Sequence, residues 1–116
     1  MLFTGCFNTQ PKTVSSATIL IKTPAMKYYD KGFVSKYNDH LNVQIFSAGT
    51  SILSLDIYDD KICKDSFRCE SSSSFNKKFL DESYKKNFLK ELFNQDKKEI
   101  IHRDRKNNIL IKIIKD

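Results

Sequence analysis

The feature that most constrains the fold is a two-residue alternation of apolar and polar side chains that recurs in short runs. Leu41, Val43 and Ile45 alternate with polar residues, Ser47-Ala48-Gly49-Thr50 reverses the chain, and Leu53, Leu55 and Ile57 alternate back. Successive strand residues point to opposite faces, so this pattern writes a hairpin with one shared apolar face. Val14 to Lys22 repeats the alternation, with Ala17, Ile19 and Ile21 on one side and Ser16, Thr18 and Leu20 on the other. Thr23-Pro24 ends that strand, because proline removes a ladder donor and pushes its predecessor out of line. Met26 to Tyr29 reads as a strand, Asp30-Lys31-Gly32 as a turn, and Phe33 to Tyr37 as its continuation or partner. Asn38-Asp39 supplies a turn ahead of the hairpin, and Asp59-Asp60-Lys61 another before Ile62-Cys63-Lys64. Strands this short, with turns this frequent, indicate an antiparallel sandwich or barrel.

The period then changes. Phe75, Phe79, Tyr84, Phe88, Leu89, Leu92 and Phe93 recur every three to five residues, which predicts a helical segment over about 75–93. The serines Ser71 to Ser74 offer an N-cap, Asp81-Glu82-Ser83 divides the segment in two with Asp81 or Ser83 recapping, and Asn94 is a natural stop. The chain closes with a hairpin of Glu99 to His102 and Ile109 to Ile114 around a turn at Lys106-Asn107-Asn108. The last strand is apolar on both faces and is expected in a covered position, with Phe79, Phe88 and Leu92 of the helical segment as one candidate cover.

With 116 residues, 14–116 is one domain and 1–13 a leading segment. The net charge of +6 sits in the second half: residues 61–116 carry fifteen Lys and Arg against nine acids, whereas 1–60 carry five of each. The lysines mix with acids and form no run of five like charges, as a solvated surface requires, though a basic face near a membrane would attract anionic head groups.

Phe3-Thr4-Gly5-Cys6 has the form of a lipoprotein processing site, a small-residue pair before the cysteine that carries lipid. A secretory signal also contains a basic stretch and an apolar run. Only Met1 to Phe3 stand for such a run, so either its remainder lies upstream, or it has been trimmed, or the match is accidental and Cys6 is a buried or free thiol. The polar segment Phe7 to Lys12 suits a tether. In an exported protein the remaining Cys63 and Cys69 are expected to pair. Zinc is the rival, with His40 and His102 as partners, but the spacings lack the short Cys or His pairs of structural zinc.

No motif points to catalysis, and the chain is read as a non-enzyme without cofactor or metal. His102 near Asp104 has no serine in a nucleophile elbow, Asp59-Asp60 suits a turn, and three glycines at 5, 32 and 49 make no phosphate loop. Nucleic-acid binding would need rings exposed on a basic sheet. Tyr28, Tyr29 and Phe33 are the one cluster that could qualify, but such residues are expected in the core, and an exported chain would not meet that partner.

Taken in order, Met26 to Phe33, Asn42 to Gly49, Ile62-Cys63 through Cys69, Phe75 to Leu80 and Tyr84 resemble a group of small lipoproteins from epsilonproteobacteria, over most of 18–93. The resemblance implies lipid on Cys6, paired Cys63 and Cys69, and a variant immunoglobulin-like β-sandwich with the helical segment inserted before the C-terminal hairpin. By the same likeness, Phe7 after the cysteine favours the outer membrane. The functional expectation is a membrane-tethered binding or scaffold module that meets an envelope or host protein. The alternatives are an acyl-chain or lipoprotein carrier with an apolar cleft at Phe79, Phe88 and Leu92, and a basic nucleic-acid-binding module.

Overall fold

Alternation becomes pairing in the computed structural model, which describes residues 10–116. Eight strands form one antiparallel sheet: β1 (Thr13–Lys22), β2 (Lys27–Lys36), β3 (Leu41–Ser47), β4 (Thr50–Ile57), β5 (Lys61–Lys64), β6 (Arg68–Ser71), β7 (Glu99–Asp104) and β8 (Ile109–Lys115). The spatial order β6-β5-β4-β3-β2-β1-β8-β7 makes the first six strands a meander and lays the C-terminal hairpin beside β1. Two short helices, α1 (Ser72–Phe79) and α2 (Phe88–Phe93), carry the chain from one edge of the sheet to the other. The antiparallel β class therefore stands. All eight strands join edge to edge in one sheet, and what packs with the helices is one face of it; an immunoglobulin-like sandwich of two sheets is not established by this pairing.

The core lies between that face and the helices. Ile19 and Ile21, Val43 and Ile45, Leu53 to Ile57 at every second residue, Ile111 and Ile113 are all buried, and Phe75, Leu89, Leu92 and Phe93 close over them. Fully burying an apolar side chain of this size contributes about 1.5–3 kcal/mol. Ser71 caps α1, its hydroxyl accepting from the Ser74 amide at 3.1 Å, so the first serine of the run is the cap and the other three belong to the helix. The break between helices is longer than the pattern suggests. Asp81 accepts from the Ser83 amide and hydroxyl, making a local turn rather than a cap for α2, which follows Asn87. Buried Asn76 donates to the Lys85 carbonyl at 2.7 Å and ties this connection to α1.

One strand differs from its reading in sequence. Asp30-Lys31-Gly32 is not a turn: β2 runs through it without interruption. A Cβ at Gly32 would stand 2.1 Å from the Gln44 carbonyl oxygen, so the glycine permits a close backbone approach inside the sheet. Gly49, by contrast, is a turn glycine. It and Ala48 take positive φ, 82° and 51°, the geometry that matches a two-residue hairpin to strand twist. β8 lies between β1 and β7, so it is not an edge strand, but the helices cover only its Ile109, Ile111 and Ile113 face, and Leu110 and Ile114 are left on the other.

Candidate functional site

Because the helices take one face of the sheet, the other face is left open, and the register fixes what it displays. Across β7, β8, β1 and β2, one row reads Arg103, Leu110, Lys22, Lys27 and the next Ile101, Lys112, Leu20, Tyr29. A third row places Glu99, Ile114, Thr18 and Lys31 side by side, continuing to Phe46 on β3. Aliphatic side chains and cations thus interleave. Tyr29 is 68% exposed, and Ile101 and Phe33 are also exposed, which is costly for groups of this size unless something covers them. A groove of about 450 Å³ runs over Leu20, Leu110 and Ile114, walled by Lys22, Lys27 and Lys112. A second hollow of about 370 Å³ shares Lys22 and Leu110 and continues to Arg103 and Arg105.

The charges here are not neutralised. Among the described residues, Lys22, Lys27, Lys112 and Arg103 take part in none of the ion pairs. Lys31 does, at 3.0 Å from Asp116, whose carboxyl is held below the usual carboxylate range by hydrogen bonds from Ser16 and Lys31. On the helix side, Lys36 reaches Asp96 at 2.8 Å and Lys90 pairs with Asp59, fastening α2 and its exit to the sheet, whereas the exposed Lys77, Lys85 and Lys86 take part in none of the ion pairs among the described residues.

Two polar clusters lie at the margins. His40 is stacked between Tyr37 and Tyr58, at 4.5 and 4.7 Å, with Asp39 Oδ1 2.7 Å from its Nδ1. That hydrogen bond holds the Asp39 carboxyl below its ordinary range, while burial pushes the Tyr58 phenol up. On β7, the Tyr84 hydroxyl donates to Asp104 Oδ2 at 2.6 Å and lies 2.8 Å from His102 Nε2. The phenol has a single proton, so His102 Nε2–H is the donor in the second contact. Burial and the Asp104 carboxylate drive the Tyr84 phenol well above its usual range. Ser83 is committed to Asp81, and the Tyr84 contacts to His102 and Asp104 pin the helix connection to β7.

Of the residues singled out in sequence, Cys6 lies outside the described residues. Cys63 and Cys69 form a disulfide between β5 and β6, directly opposite one another with Cα atoms 3.9 Å apart. Phe79 and Phe88 are half-buried on different helices and Leu92 is buried. Phe79 packs on Phe75 at 4.6 Å, whereas Phe88 meets Tyr84 and His102 at 4.6 and 4.7 Å. The two hollows on the open face lie on the far side of the sheet from these side chains. Tyr28 faces the core as expected, but Tyr29 and Phe33 do not: strand parity puts them on the open face, where Phe33 meets Phe46 edge-on at 5.9 Å. No group of three or more His, Cys, Asp or Glu is placed to hold a metal among the described residues. The signal for the open face was present in sequence, in Leu20, Leu110 and Ile114 on the polar side of their strands among lysines.

Comparison with protein families, curated proteins and solved structures finds no match for this chain.

Proposed function

We propose that this chain is a non-enzymatic binding module, held by lipid on Cys6 to the periplasmic side of an outer membrane, with the open face of its sheet as the contact surface. The observation that carries the reading is the combination on one face of exposed Tyr29, Phe33 and Ile101 with cations that no carboxylate of the described residues neutralises. Exposed apolar groups interleaved with unpaired charge are what a recognition surface presents before its partner arrives. The processing-site form of Phe3 to Cys6 supports the tether.

The two halves of the reading are tested separately. Mass spectrometry of the amino-terminal peptide from native membranes should find acylated Cys6; a free thiol ends the tether. A photo-crosslinking residue at Tyr29 should capture envelope components that the same residue at Lys77, exposed on α1, does not. Equal capture from both positions removes the face from consideration.

A second reading, binding of single-stranded nucleic acid, is favoured by the exposure of Tyr29 and Phe33 on a basic sheet. It requires binding to oligonucleotides that weakens steeply with added salt. No binding at low salt dismisses it.

A further inference from the structure

We propose that the groove over Leu20, Leu110 and Ile114 is a docking surface for anionic lipid head groups, so that the sheet lies face down on a membrane. This deepens the reading of the open face as the working surface, and it does not depend on lipid at Cys6.

The register supplies the argument. Neighbouring strands are about 4.8 Å apart, so Arg103, Lys22 and Lys27 form a line of cations across four strands, interrupted only by Leu110. Lys112 stands in the adjoining row between Ile101 and Leu20. Among the described residues, the acids near this part of the face are Glu99, at the outer edge, Asp116, which Lys31 and Ser16 already occupy, and Asp104, which borders the adjoining hollow and accepts from Tyr84 and Asn107. The field over the groove is therefore positive and calls for an anionic partner.

What separates the cations decides which anion. Leu20, Leu110 and Ile114 are aliphatic, and among the described residues the sole ring bordering the groove is Tyr29. Nucleic acid is held by stacking on successive free ring faces, whereas Phe33 and Phe46 are turned edge-on to each other, and Tyr37, His40 and Tyr58 are stacked on one another and do not line the groove. An acidic peptide adding a strand would use an edge, not the middle of a face. A bilayer interface needs what this face has: apolar groups in the plane, long lysine stems that lie along them with ammonium groups reaching phosphate, and a tyrosine that tolerates both phases.

The test uses the full chain carrying Cys6→Ser, which removes the tether, with vesicles of phosphatidylcholine alone or containing phosphatidylglycerol. The protein should sediment with the anionic vesicles, not with the neutral ones, and salt should release it. Each lysine near a charged surface strengthens partitioning about fivefold, so K22Q/K27Q/K112Q should weaken it about a hundredfold. K77Q/K85Q/K86Q, an equal change of charge among exposed residues on the helix side, should leave it within about twofold, because groups a Debye length away are screened. Equal weakening by both variants overturns the proposal. So does absence of sedimentation at low salt, or displacement from anionic vesicles by a single-stranded oligonucleotide. Failure to find lipid on native Cys6 would end the tether and leave this result standing.

Discussion

Replacing Gly32 by alanine tests the sheet where its tolerance is least. Gly32 sits on the core face between Ala17 of β1 and Ile45 of β3. The new methyl carbon would meet the Gln44 carbonyl oxygen at 2.1 Å, its carbonyl carbon at 3.1 Å, and the Ile19 δ-methyl at 3.0 Å. The isoleucine end can turn away, but a backbone carbonyl cannot move without opening the β2–β3 ladder. Overpacking of this kind costs about 1–3 kcal/mol, and each ladder hydrogen bond lost adds about 1 kcal/mol. The sum is about 2–4 kcal/mol, or a fall in Tm of roughly 8–16 °C for a domain of this size. Thermal melts followed by far-ultraviolet circular dichroism, with urea titration, measure it. Gly49→Ala is the control: its φ of 82° is unfavourable, but nothing lies within 4 Å of the added carbon. It should cost about 1 kcal/mol. If Gly32→Ala melts within a degree or two of the parent, or Gly49→Ala is the worse of the pair, the close-approach argument is wrong.

The remaining predictions address the staple, the cap and the tyrosine cluster. Reducing Cys63–Cys69, or replacing both with serine, frees a seven-residue loop and should lower stability by roughly 2 kcal/mol in the chain-entropy model, read as a shift of urea midpoint. Ser71→Ala removes the α1 cap and should cost about 1 kcal/mol, whereas Ser73→Ala, exposed within the helix, should cost nothing measurable. Tyr84→Phe should destabilise the chain at neutral pH and less so in acid. The Asp104 carboxyl is held below its ordinary value first by the Tyr84 hydrogen bond and then by Asn107, so its stabilisation is complete above the unfolded carboxylate pKa of about 4 and fades as pH falls through the lower folded value. Denaturant midpoints at about pH 7 and pH 3 should therefore show the gap between Tyr84→Phe and the parent closing; a constant gap would mean the carboxylate is not what the phenol stabilises.

Parity along each strand was legible in the chain itself. Leu41 to Ile57, Ala17 to Ile21 and Ile109 to Ile113 announce strands, and the change of period from Phe75 onward announces helices, because side-chain direction is set locally by the backbone. Pairing of Cys63 and Cys69, expected for the two cysteines left in an exported chain once Cys6 is assigned to lipid, is present. The Asp30-Lys31-Gly32 turn was misread because turn-forming composition is a local signal, while the need for a glycine there comes from Gln44, a residue of the next strand. The sandwich expectation had the same weakness. Alternation says that a strand has an inner face, and not whether another sheet or two helices will cover it.

The chain alone determined most of the strands and the greasy side of β1, β3, β4 and β8, since both depend on neighbours one to four positions away, but not the continuity of β2 through Gly32 nor the short β6. Tertiary structure decided that Arg103, Lys22 and Lys27 fall in one line and that Tyr29 and Phe33 look outward rather than in. Those facts depend on β8 returning to pair with β1 after some ninety residues and on the helices choosing one face. Only the balance of burial over the whole domain makes that choice, and no local window contains it.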